Sequence, residues 1–86
     1  MNATNRILQQ FILRVLRAAG DSPMADESLR AAVGGTFLHL ALTESDLGAH
    51  IKACEEKHLI SGTNDDVFGL MWQLTVKGRI AAQQLP

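Results

Sequence analysis

The chain has no tyrosine, one tryptophan, one cysteine and two prolines in its 86 residues. A single cysteine, Cys54, excludes an internal disulfide and fits a reducing compartment. No apolar run approaches the roughly 20 residues needed to span a bilayer. The N-terminus is interrupted by Asn5, Arg6, Gln9, Gln10, Arg14 and Arg17, so it carries no signal-peptide pattern. These absences predict a cytoplasmic protein with no membrane partner. Charge of one sign is also missing. Eight Lys and Arg stand against nine Asp and Glu, a formal net charge of -1, without the basic excess common in dedicated nucleic-acid binders.

Catalytic and metal signatures are missing as well. Gly34, Gly35, Gly62 and Gly69 form no phosphate loop of the GxxxxGK kind, and no Ser, His and Asp spacing suggests a triad. The reading is therefore not an enzyme, with no catalytic residue and no cofactor. His50, Cys54 and His58 recur every four residues and fall near one helix face. Three such turns-apart ligands would spread over about 12 Å along a helix, whereas zinc ligands lie about 2.0–2.3 Å from the metal. No metal site is expected, and Cys54 reads as a small core hydrophobe.

What is present is an apolar fraction of 47%, enough for one core in one domain spanning residues 1–86. A domain of this size buries a modest share of its surface, so dimerisation would add useful buried area. Charge is unevenly spread. Residues 1–20 carry Arg6, Arg14 and Arg17 and no acid; residues 21–61 carry seven acids against Arg30, Lys52 and Lys57; residues 62–86 balance.

Periodicity predicts a first helix over about 4–18, capped by Thr4 or Asn5, with Leu8, Phe11, Ile12, Val15 and Ala19 facing the core. Arg6, Gln10, Arg14 and Arg17 then face outward together with Leu13. A turn at Asp21-Ser22-Pro23 and a short extended piece at Met24 lead to a second helix over about 26–33. Leu29, Ala32 and Val33 point inward on it, and Gly34-Gly35 end it. Residues 36–42 have no clean period and stay open between buried loop, short strand and irregular turn. Thr43 followed by Asp46 is a short capping box for a third helix over about 43–57, with Leu47, Ile51 and Cys54 as its apolar stripe. Leu59 and Ile60, turn formers at 62–66, and the alternation Phe68, Leu70, Trp72, Leu74 predict a hairpin over about 59–74. A last helix over about 75–85 starts at Thr75, with Val76, Ile80 and Ala81 as contacts and Gly78 as a weak point. The expected fold is mainly α with a small β-hairpin. Its expected core is Leu8, Phe11, Ile12, Val15, Leu29, Val33, Leu47, Ile51, Cys54, Ile60, Leu70, Trp72 and Leu74.

Two stretches support a family resemblance. Leu42 to Ile60, LTESDLGAHIKACEEKHLI, resembles the recognition-helix region of winged helix-turn-helix regulators, with His58 where glycine is usual and Cys54 where leucine is usual. Trp72 to Ala81, WQLTVKGRIA, resembles the end of the second wing strand and the helix after it. The resemblance implies a three-helix core, a wing and a C-terminal helix. It also implies duplex DNA as partner, often bound as a homodimer, with the third helix in the major groove.

On the third helix the outward residues Ser45, Ala49 and Lys52 are the candidate DNA contacts, with Arg79 supporting from the last helix. Glu56 shares that face, and Asp65 and Asp66 sit unfavourably on the wing. DNA-binding transcriptional regulation is the leading reading. The alternative is a winged-helix protein-interaction module without DNA binding, for which Leu13, Arg14 and Arg17 form the candidate surface.

Overall fold

A computed structural model describes residues 3–85. The elements are α1 (Ala3–Ala18), β1 (Met24–Ala25), α2 (Asp26–Thr36), a 3-10 turn (Leu38–Leu40), α3 (Glu44–Glu56), β2 (Ile60–Asp65), β3 (Gly69–Leu74) and α4 (Val76–Gln83). Helices α1 to α3 form a three-helix core, β2 and β3 form a hairpin wing, and α4 packs back onto α1. The sheet is antiparallel in the order β1-β3-β2, with Met24 opposite Trp72 on one side and Gly62 opposite Trp72 on the other.

The best-signalled element begins as the sequence predicts. The Thr43 hydroxyl accepts from the Asp46 backbone N–H at 3.1 Å, and the Asp46 carboxylate accepts from the Thr43 N–H at 3.0 Å. This reciprocal box satisfies two of the backbone donors that a helix start leaves open. Hydrogen bonds from the Thr43 backbone and side chain hold the Asp46 carboxyl below the usual carboxylate range, with a smaller contribution from His50. Thr75 caps α4 in the same manner, accepting from the Gly78 N–H at 3.0 Å, and its hydroxyl donates to the His58 carbonyl at 2.6 Å.

The core gathers Leu8, Ile12, Leu13 and Leu16 from α1, Leu29 and Val33 from α2, and Leu47, Ile51 and Cys54 from α3. Ile60, Trp72, Leu74 and Ala82 complete it. Trp72 is tied at its polar end, where its indole Nε1–H donates to Asp26 Oδ1 at 2.8 Å. Asp26 Oδ2 accepts from Arg30 Nε, also at 2.8 Å, so one carboxylate at the start of α2 anchors both the wing strand and its own helix.

Several expectations are corrected. Thr4 and Asn5 lie within α1 rather than capping it. The buried stripe of α1 is rotated by roughly a fifth of a turn from the expected one: Leu13 and Leu16 are buried, while Phe11 and Val15 sit at the stripe's edge. The cause is α4, which covers the Leu13 side of α1. Arg17 Nη1 donates to the Ala82 carbonyl at 2.6 Å across this contact, satisfying a carbonyl in the last turn of α4. Gly34 and Gly35 do not end α2, which continues to Thr36. The open stretch 36–42 holds a 3-10 turn, closed by Ala41 at a left-handed φ of 49°. Leu70 is exposed rather than core, because the hairpin has by then left the helices behind. Val76 and Ile80 also face solvent, whereas Ala81 packs against the core as expected and Ala82 joins it there.

The glycine of the LTVKGR stretch has a packing cause. A Cβ on Gly78 would overlap the Leu59 carbonyl, so α4 crosses the entry to β2 in direct backbone contact. His58, standing where the resemblance has glycine, adopts φ 61°, the left-handed conformation that glycine takes most cheaply.

Candidate interaction surface

The outward side of α3 follows from its inward stripe. With Leu47, Ile51 and Cys54 buried, Ser45, Ala49, Lys52 and Glu56 fall within about 60° of one another on the opposite side, and all four are exposed. Lys52 makes no ion pair among the described residues. It is the only cation between Glu44 and Glu56, a helix that also carries Asp46 and Glu55.

The other cation of α2 and α3 is already committed. Arg30 on α2 pairs with Asp26 at 2.8 Å and Glu44 at 3.1 Å, and donates to the Glu44 carbonyl at 3.0 Å. Its guanidinium lies over Gly48, whose missing side chain leaves room for it. Arg30 thus clamps α2 to the start of α3 with its charge neutralised locally.

The wing tip is acidic and apolar. Asp65 Oδ1 accepts from the N–H groups of Val67 and Phe68 at 2.8 and 2.9 Å, closing the turn. These two bonds hold its carboxyl below the usual range. The turn leaves Val67 at 81% and Phe68 at 69% exposure, with Asp66 between Asp65 and Val67. Neither apolar side chain stabilises the hairpin by burial.

Two depressions continue this surface along α2. One lies between the wing tip and the start of α2 and is lined by Ala25, Asp26, Glu27, Val67, Phe68 and Leu70. The other lies between the end of α2, the 3-10 turn and α3. Its floor is Ala31, Gly34, Gly35, Leu38 and Leu42, and its rim carries Glu27, Arg30 and Glu44. Glu27 borders both, so they form one band across the molecule. Among the described residues, the exposed large hydrophobics Leu38, Val67, Phe68 and Leu70 line it. Nothing in the sequence pattern marked this band. Its residues come from α2, from the unperiodic stretch 36–42 and from the wing tip, where Leu70 alone was expected in the core.

The remaining candidates sit elsewhere. Arg79 pairs with Asp21 at 3.1 Å and shares a depression with Arg17, Gly20, Leu74 and Gln83, on the α1–α4 side of the molecule. The structure brings Ser45, Ala49 and Lys52 onto one face but ties Arg79 to Asp21 in the turn after α1. Of the α1 candidates, Leu13 is only 5% exposed and belongs to the core, so it offers no surface. Arg17 is engaged with Ala82, and Arg14 is half-buried. Cys54 is fully buried, and desolvation pushes its thiol up to about 11 against a small opposing pull from Lys57. Among the described residues, no cluster of three His, Cys, Asp or Glu is placed to hold a metal ion. Likewise, no helix there is long and apolar enough to cross a membrane. No protein-family model, curated protein or solved structure matches the chain.

Proposed function

We propose that the chain is a winged-helix protein-interaction domain of the helix-turn-helix superfamily, acting in the cytoplasm without catalysis. One observation carries this reading. The band from the wing tip across α2 to the 3-10 turn exposes large apolar side chains between Glu27, Glu44, Asp65 and Asp66. Exposed apolar patches with polar rims mark protein contacts, whereas neutralising phosphates dominates DNA affinity and requires cations. Here the helix-turn-helix offers one uncompensated cation, Lys52.

DNA-binding regulation is the second reading. It is favoured by the exposure of Ser45, Ala49 and Lys52 on the helix that the resemblance places in the major groove. Titration with a random-sequence duplex pool at low salt separates the two. The interaction reading expects no saturable binding at tens of micromolar protein, and Lys52→Glu to change nothing. Saturable, salt-sensitive binding that Lys52→Glu abolishes would overturn it in favour of the regulator.

A further inference from the structure

We propose that the depression between the wing tip and the start of α2 receives an extended basic peptide segment of a partner protein, which adds to the open edge of β3 beside Leu70. The proposal rests on the protein-interaction reading and names the chemistry of the partner.

The first support is an unfinished sheet edge. Strand β3 lies between β2 and β1, but β1 is two residues long and ends with Ala25 opposite Met71. The chain does not continue along β3, because Asp26 turns into α2 with its carboxylate held by the Trp72 indole and by Arg30, each at 2.8 Å. Leu70 is thereby left without a strand on that side. Along an antiparallel strand, successive residues bond alternately to one neighbour and the other. The Thr75 N–H donates to the Leu59 carbonyl at 3.1 Å, one step beyond the pairing of Ile60 with Leu74. In that register Gln73, Met71 and Gly69 bond to β2, and Leu70 directs its N–H and carbonyl to the β1 side, where no strand of the chain meets them.

The second support is shape. The open edge faces a depression with Ala25 and Glu27 on one wall and Val67, Phe68, Gly69 and Leu70 on the other. Gly69, at a left-handed φ of 74°, brings no side chain to shield the Leu70 backbone. A helical occupant satisfies its own backbone and would leave both Leu70 groups unbonded. An extended occupant pairs with them, as in strand addition, and sets a side chain beside Leu70 on the same face. The outer edge of β2 is longer, but from Ser61 to Asp65 it has no large apolar side chain to anchor a partner.

The third support is charge. Glu27 in the wall and Asp66 beside Val67 are both exposed, and neither makes an ion pair among the described residues. Asp26 and Asp65 differ, since their carboxylates are engaged within the chain. No cation lines the depression, and Arg30 is committed to Asp26 and Glu44. An apolar lining between two uncompensated carboxylates is complementary to apolar side chains interleaved with Lys or Arg. In an extended segment, residues two apart share a face. Apolar residues at alternate positions therefore meet Phe68 and Leu70, with the cations between them in reach of Glu27 and Asp66.

NMR titration of the isotope-labelled full chain with a blocked hexapeptide alternating valine and lysine tests the proposal. Saturable binding is expected below about 1 mM peptide, with shifts centred on Glu27, Val67, Phe68 and Leu70. Hydrogen exchange of the Leu70 amide should slow at least tenfold in the complex. The same peptide N-methylated throughout keeps its side chains and charge but loses its main-chain donors, and it should bind at least tenfold more weakly. A peptide alternating valine and glutamate should not bind. Glu27→Lys and Phe68→Ser should each weaken binding of the valine–lysine peptide at least threefold with melting temperatures unchanged. No saturable binding up to about 1 mM would overturn the proposal. So would shifts centred on Gly62 and Asn64 or on Leu38, equal binding by the N-methylated peptide, or binding untouched by both variants. The DNA titration judges the interaction reading separately, so that reading survives a failed peptide titration when no duplex binds.

Discussion

At the base of the wing, Trp72 and Leu74 are buried against the helices, and the indole is tied to Asp26; at the tip, Val67 and Phe68 stand in solvent on a turn closed by Asp65. Phe68, Trp72 and Leu74 belong to one alternating apolar run, yet only the base pairs with β1 and packs on the core. Alternation therefore determines which way a side chain points. Burial depends on what lies opposite, and a hairpin that outruns its helices carries its apolar residues into water. The base stabilises the fold, and the tip adds no buried apolar area to it.

The sharpest test of this contrast compares Trp72→Ala with Phe68→Ser by chemical denaturation. Removing Trp72 should cost about 3–5 kcal/mol, the range for a large buried aromatic, and in a domain this small that approaches the whole stability. Phe68→Ser should stay within about 0.5 kcal/mol, as exposed substitutions do. Equal losses at both positions would show that the tip is packed and end the contrast.

Glycines sharpen it next. Gly78→Ala forces a Cβ into the Leu59 carbonyl and should cost about 3 kcal/mol, since neither backbone can yield without separating α4 from the wing. Gly62→Ala, close to the wing base, brings a Cβ to 2.9 Å from the Trp72 ring and should cost about 1 kcal/mol or more. Thermal melts of the two variants, ranked Gly78 worse than Gly62, check the assignment.

Asp26→Ala should cost about 1–3 kcal/mol by leaving the buried end of the indole without an acceptor. Trp72 fluorescence should shift with it if the indole loses its anchor. The smallest effect concerns pH. Asp46 and Asp65 are both held below the usual carboxylate value near 3.9. Their contributions are therefore complete above that value and fade as pH falls through the lower folded-state values. Titrating both carboxyls by NMR should give midpoints below the usual Asp range, with the amides of Val67 and Phe68 following Asp65. A normal Asp65 midpoint would mean that the tip turn is open in solution.

Legibility was highest where a signal is local. The capping box at Thr43, the cap at Thr75 and the stripe Leu47, Ile51, Cys54 each depend on residues within one or two helical turns, and all appear as expected. The α1 stripe departs from its helical-period expectation because its burial depends on α4, more than 50 residues later. Helical spacing alone cannot say how many sides of a central helix are covered. Gly34-Gly35 lie inside α2 for a related reason. Glycine is a poor helix former but not a forbidden one, and a helix already docked through Leu29 and Val33 tolerates two. At the candidate site, the outward positions Ser45, Ala49 and Lys52 could be read from the period of α3. The acid-rimmed apolar band could not, since it joins the wing tip, α2 and a turn that are distant in sequence.

The order of elements, the starts of α3 and α4, the hairpin and most of the core are legible along the chain, because caps, turns and periodicity act over a few residues. That Leu13 is inside and Phe68 outside, that Arg30 is neutralised and that Arg79 pairs with Asp21 follows from packing alone. Burial and charge pairing are properties of neighbours, and here those neighbours come from elements far apart along the chain.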